Sequence, residues 1–321
     1  MRRIVDVPRA VFLGLLAVVA LGCGAVEVRP FEEFAKAVGE VRQGADDALK
    51  HNAEQARARV VSELVQDSVA APREVAVKYT LRQRQADPLE IAHEGLPLFF
   101  EARWFREGVY GLNTSIVDYA ALLHELAKPE LLPQEKFDKL AKQLNANLRD
   151  AAKALPAQKP IDPHKIGLFA TAASGVTQSA IEWRRRRHLQ RAIRDNQGAI
   201  DAVALLGRDA VNLAATQLWQ EYGLRNQPLL VVLVTPRSSA SARKAAAKKL
   251  IKLNEEQMKR IQTLRTLDES YAALPAAHRE LATALNNPKL GLESIRNLYD
   301  TGTRLHQLYE ELAPERRRKN P

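Results

Sequence analysis

The stretch Leu189–Ala214, LQRAIRDNQGAIDAVALLGRDAVNLA, decides the fold class. Within it Leu189, Ile193, Asn196, Ile200, Val203, Gly207, Ala210 and Ala214 follow one another at alternating steps of four and three. A helical period of 3.6 residues puts all eight on one stripe, and the four-three alternation is the seam of left-handed helix-on-helix packing. The same spacing runs through Phe31, Phe34, Val38, Val41, Ala45 and Ala48, giving way to Ala56, Val60 and Leu64. It recurs in Ala246, Leu250, Leu253, Gln257, Ile261, Leu264 and Leu267. Small seam residues such as Ala45, Ala48, Gly207, Ala210 and Ala214 permit close helix approach. Asn196 and Gln257 are read either as register-fixing groups or as tolerated polar residues.

Working outward, proline placement divides the chain into stretches 31–71, 98–128, 164–227, 237–274 and 289–313 that contain none. Proline fixes φ and lacks an N–H, so these boundaries are expected to start and stop helices. The stretches themselves are rich in Ala, Leu, Arg, Lys, Gln and Glu, all good helix formers. The expected fold is all-α: an elongated multi-helix bundle with coiled-coil-like seams. A continuous helix from His164 to Gln227 would be roughly 96 Å long, so a kink near Gly175 or Gly198 or an elongated bundle is expected. Two segments break the pattern. Residues 96–112 gather Phe99, Phe100, Trp104, Phe105 and Tyr110 and read as a bundle plug, closed by Gly108 and Gly111 before Asn113-Thr114-Ser115 caps the next helix. Leu229–Val234, LLVVLV between Pro228 and Pro236, is β-like or a buried connector.

Composition agrees with a large soluble core. The 321 residues are 46% hydrophobic and 27% charged, with one cysteine, and the formal net charge is +10. That apolar share excludes a disordered chain, the charged share argues against a polytopic membrane protein, and one cysteine excludes a disulfide-stapled or Cys-rich zinc module.

The single cysteine carries an address. Arg2, Arg3 and Arg9 precede a twelve-residue apolar run, Ala10–Leu21. It is too short to span a bilayer as a helix, which takes about 20 residues, but suits the apolar part of a signal peptide. The run ends Ala20-Leu21-Gly22-Cys23. This resembles the lipobox of bacterial lipoproteins, although Ala20 holds the place where that pattern has Leu. The resemblance implies lipidation (palmitate included) of Cys23 as the mature N-terminus. Gly24 differs from the aspartate of inner-membrane retention, which favours the outer membrane, on its periplasmic or surface face. An ordinary secretory signal with a free thiol, or an uncleaved anchor, are the alternatives. The expected organisation is signal peptide 1–22, lipidated N-terminus and linker 23–30, helical bundle 31–313 and basic tail 314–321.

Searching for chemistry gives little. The seven histidines are scattered, and His93-Glu94 and His124-Glu125 begin a helical zinc-protease motif whose second histidine is replaced by Pro97 and Lys128. No Gly-rich phosphate loop or nucleophile elbow is present. The adjacent pairs Asp46-Asp47 and Glu255-Glu256 point to different helix faces and make poor acid–base partners. No catalytic residue, metal site or cofactor is expected, and the chain reads as a non-enzyme.

Charge is local. Arg184 to Asp195 holds Arg184, Arg185, Arg186, Arg187, Arg191 and Arg194 against one acid. Arg237 to Arg260 holds eight basic residues and two acids, and Arg316, Arg317, Arg318 and Lys319 close the chain. Five consecutive polar residues from Arg184 to His188 exceed one helical turn, so the turn must protrude, meet acids from neighbouring helices or bind an anion. Two functions follow as expectations. The first is a lipid-anchored envelope protein serving as a binding or scaffolding module for an envelope protein partner. The second is a binder of polyanions through Arg184–Arg194, with anionic lipid or lipopolysaccharide favoured over DNA in an exported protein. The sequence leaves oligomeric state open.

Overall fold

The computed structural model describes residues 26–70, 82–84, 87–92, 97–128, 182–287 and 292–312. Among the described residues five helices carry the fold: α1 (Arg29–Ala70), α2 (Pro97–Ala127), α3 (Glu182–Val234), α4 (Ala240–Asn286) and α5 (Glu293–Leu312). Between α1 and α2 lies a short antiparallel pair, β1 (Arg82–Arg84) and β2 (Asp87–Ala92). The architecture is an all-α bundle.

The seams are the core. Every α3 seam position from Leu189 to Ala214 is buried, as are Phe31, Phe34, Val38, Val41, Ala45 and Ala48 on α1. On α4, Ala246, Leu253, Gln257, Leu264 and Leu267 are buried, while Leu250 and Ile261 are half-buried. The Val, Leu, Ile and Phe side chains among them stabilise by about 1.5–3 kcal/mol each when fully buried, which is why the stripes and not the helix propensities hold the bundle.

Cross-helix contacts fix the directions. Gln190 with Asn286, Gln197 with His278, Arg208 with Asp268 and Tyr222 with Asn254 show one number falling as the other rises. Helices α3 and α4 are thus an antiparallel hairpin, joined by Thr235–Ser239. Ser239 caps α4, its hydroxyl accepting from the Ala242 N–H at 3.1 Å. Helix α1 lies antiparallel to α2, with Arg42 donating to the Tyr110 hydroxyl at 2.9 Å and stacked 5.2 Å above its ring. Helix α5 runs along α1, where Gly44 faces Leu305 and Gly302 faces the Glu40–Val41 backbone. Glu280 of α4 accepts from the Ile295 N–H at 2.9 Å, placing a carboxylate on the positive end of α5.

Several expectations need correction. Pro228 lies inside α3 and Pro275 inside α4, so these prolines do not end helices. Around Pro275 the buried neighbours Tyr271, Leu274, Ala277 and His278 anchor the helix on both sides, and that packing outweighs one lost hydrogen bond. Leu229–Val234 is neither strand nor buried connector: it forms the last turns of α3, largely in solvent. Asn113-Thr114-Ser115 does not cap a helix, because α2 runs unbroken from Pro97 to Ala127. Ser115 instead satisfies its hydroxyl on the Gly111 carbonyl at 2.8 Å, and Asn113 serves a tyrosine across the core. Gly198 sits within α3 without a positive φ, and α3 extends through it for 53 residues, about 80 Å. The first helix begins at Arg29, inside the anticipated linker, and Val26 is already buried.

Candidate functional site

The arginine cluster opens α3, and the helix divides it. Arg185 turns inward and is buried, and Arg186 is half-buried; both have bonding partners. Arg187, Arg191 and Arg194 are exposed. Their steps of four and three place these three on one helical face, so the outward charge is a strip and not a collar. Arg194 also meets Asp195, Nε to Oδ1 3.4 Å, in an exposed pair that contributes little. Arg184 shares the turn, its side chain outside the described set. Cys23 and Arg316–Lys319 lie outside the described residues too.

The strip has a definite place in the bundle. Gln190 donates to the Asn286 carboxamide, so the start of α3 lies beside the end of α4. Phe34, near the start of α1, has its ring 6.0 Å from that of His278 in the same half of α4. The entry of the chain at Val26 and the Arg187–Arg194 strip therefore share one end of the molecule.

At the centre of that half, a polar ladder crosses the core. Gln197 Nε2 donates to Asp201 at 2.7 Å, which leaves its Oε1 to face His278 Nδ1 at 2.8 Å. An oxygen there only accepts, so Nδ1 carries the ring proton and Nε2 is the acceptor for the Tyr119 hydroxyl at 2.9 Å. Burial pushes the His278 pKa down to about 3, with the nearby Arg279 charge adding to the fall. Burial likewise raises Tyr119 far above the usual phenol range, opposed by a hydrogen bond from Asn196. A second rung is parallel: the Tyr271 hydroxyl donates to Asn113 Oδ1 at 2.9 Å, and burial raises its pKa as well.

The ladder is built for register. Its neutral groups satisfy one another across α2, α3 and α4, and sliding any of these helices by one turn would strand buried polar atoms at a few kcal/mol apiece. The seam residue Gln257 acts in the same way, reaching the Leu218 carbonyl of α3 at 3.5 Å. Beside the ladder, Asn113, Ser270 and Tyr271 line a cavity of about 10 Å³, room for one water and for no substrate. Among the described residues no three His, Cys, Asp or Glu side chains are grouped to hold a metal. No described helix is long and apolar enough to cross a membrane.

Farther along the hairpin, the main apolar cluster ends at Leu218 on α3 and Leu264 on α4. Beyond it the two helices meet mainly each other and present two unlike faces. One carries a charge network: Glu221 with Arg225 at 3.5 Å and Arg260 at 3.9 Å, and Glu256 with Arg225 at 3.9 Å and Lys252 at 4.0 Å. Arg260 is nearly enclosed, so burial lowers its pKa while Glu221 supports the charged form. The other face is apolar and exposed, with Trp219, Leu230, Val234, Ile251 and Met258. The sequence signal for it was available: Asn226–Pro236 contains no charged residue on any helical face.

Comparisons with protein-family models, with curated proteins and with solved structures found no match to this chain.

Proposed function

We propose that this protein is a lipid-anchored component of the bacterial cell envelope, a helical binding and scaffolding module held to the membrane through Cys23 with the outer membrane favoured. The supporting observation is the burial of Val26 in the core, three residues after the lipobox-like cysteine. Three residues reach at most about 10 Å, so an acylated Cys23 would hold this end of the bundle against the bilayer without a flexible spacer. One acyl chain gives marginal attachment, and a second signal beside it is the usual remedy. The Arg187–Arg191–Arg194 strip, at the same end, supplies a positive surface of that kind. The hairpin turn lies at the opposite end of α4: 38 residues separate His278 from Ala240, roughly 57 Å.

The test is fractionation of cells producing the protein or its Cys23→Ser variant, with membranes washed at high salt. The wild-type chain is expected in the salt-washed pellet and the variant in the soluble fraction. A variant that stays in the washed pellet refutes the lipid anchor. Cross-linking in the same cells then identifies the scaffold's neighbours.

The exposed arginine strip also favours the polyanion reading in a narrower form, with Arg187, Arg191 and Arg194 as its contacts and Arg185 excluded by burial. Charge reversal at these three positions is expected to weaken binding to lipopolysaccharide and to flatten its salt dependence. Unchanged binding removes the strip from consideration.

A further inference from the structure

We propose that the far end of the α3–α4 hairpin is a second, separate membrane-contact element that docks on an anionic lipid surface. Its apolar face enters the interface while the cations of the turn and of the first turns of α4 meet the headgroups. The inference does not depend on lipidation at Cys23.

Three observations carry it. The first is apolar exposure without charge. The eleven residues Asn226–Pro236, the end of α3 and the start of the turn, carry no charge, and Leu230, Val231 and Val234 are 43%, 55% and 76% exposed. Within this stretch Leu229–Val234 is apolar all round, a character at home in a protein core or in lipid, and no described element covers its exposed side.

The second is continuity. The antiparallel pairing of Tyr222 with Asn254 sets Trp219 and Leu230 of α3 on the same side of the hairpin as Ile251 and Met258 of α4. From Trp219 to Val234 this stripe is about 22 Å long. Trp219 stands at its inner end, 52% exposed and edge-on to Tyr222 at 5.7 Å, the amphipathic aromatic pairing that suits a headgroup boundary.

The third is charge. Arg237, Arg243, Lys244, Lys248, Lys249 and Lys252 are all exposed, and no acid interrupts them between Pro236 and Leu253. An apolar stripe bordered by lysine and arginine is the pattern of interfacial lipid binding, in which area burial and headgroup attraction act together.

Charge also decides among occupants. Two copies meeting at this tip would set Arg237, Arg243, Lys244, Lys248 and Lys249 against their own kind, which opposes self-pairing. A nucleic acid would satisfy the lysines and leave exposed valine and leucine in water. An anionic bilayer answers both halves of the surface.

The experiment uses the full chain carrying Cys23→Ser, with Trp104→Phe and Trp183→Phe so that Trp219 alone reports. The probes are vesicles of phosphatidylglycerol and phosphatidylcholine in equal parts, with pure phosphatidylcholine vesicles as the comparison. Trp219 emission is expected to shift to the blue on the anionic vesicles and to stay unchanged on the neutral ones. Val231→Asp with Val234→Asp, and separately Lys244→Glu with Lys248→Glu, are expected to weaken co-sedimentation at least tenfold with helical circular dichroism intact. All four positions are exposed, and the lysine pair tests the surface without touching an apolar contact. The proposal is overturned if Trp219 does not respond, or if both variant pairs bind like the parent. It is equally overturned by a Trp219 shift that grows with protein concentration alone and tracks a dimer in sedimentation, or by a larger shift with duplex DNA than with vesicles. Any of these leaves the Cys23 anchor standing.

Discussion

Replacing His278 by glutamine gives a sharp test of the core ladder, because glutamine can keep both hydrogen bonds but cannot titrate. Its amide can donate to Gln197 Oε1 and its oxygen can accept from Tyr119, the two bonds His278 now makes. In the folded protein the His278 pKa is depressed to about 3 from its ordinary 6.5. The unfolded chain therefore takes up a proton below pH 6.5 that the folded chain refuses. Stability is fully present above pH 6.5 and is lost as the pH falls towards 3, at up to about 1.4 kcal/mol per pH unit. Between pH 6.5 and 4.5 the loss from this one residue comes to about 2 kcal/mol. The variant loses the ring contacts with Phe34 and Tyr119 at every pH, so its stability is lower throughout. The informative quantity is the slope. Urea unfolding of both proteins, followed by circular dichroism at pH 6.5 and 4.5, should show wild type losing about 2 kcal/mol more than His278→Gln. Equal losses would refute a neutral, enclosed His278 and with it the tautomer on which the ladder rests.

Close packing at the α3–α4 seam makes a paired prediction. A Cβ at Gly207 would lie 2.5 Å from the Tyr271 ring, whereas one at Gly198 meets nothing within 4 Å. Gly207→Ala should cost about 1–3 kcal/mol of overpacking and Gly198→Ala should gain about 0.5–1 kcal/mol of helix propensity, both read by denaturant unfolding. A gain at both positions would mean the seam is looser than the structure shows. Tyr271→Phe leaves the buried Asn113 carboxamide without its donor and should cost about 1–3 kcal/mol in the same assay, and a neutral effect would show that water replaces the hydroxyl. Arg185→Ala should destabilise more than Arg191→Ala, since only Arg185 is buried, and the reverse order in thermal melts would contradict the inward turn of the helix there.

The seams were legible because burial imposes a period on the sequence, and eight positions from Leu189 to Ala214 leave no room for another period. Hairpin direction and helix pairing were not legible, since they depend on contacts such as Gln190 with Asn286 between residues far apart in the chain. Proline misled at Pro228 and Pro275, both inside helices; at Pro275 the local cost of a missing N–H is smaller than the packing on either side. A cap-like Asn-Thr-Ser triplet misled at Asn113 for a related reason: Tyr271 on another helix supplied its partner. The histidine ladder was missed because four polar residues scattered over Tyr119, Gln197, Asp201 and His278 have no spacing signature. The arginine run reads as a demand for solvent, acidic neighbours or an anion, and only the fold could divide it into inward Arg185 and the outward Arg187–Arg194 strip. Leu229–Val234 reads in sequence as β-like or as a buried connector, because apolar runs of six residues carry no period. Its place as an uncovered helical end became visible only with α3 and α4 in register.

Mass measurement of the N-terminal peptide from membrane-extracted protein bears most directly on the anchored-module reading. That reading expects a chain beginning at Cys23, its sulfur and amino group carrying acyl chains. An unmodified Cys23 thiol, or a peptide that still begins at Met1, would contradict it.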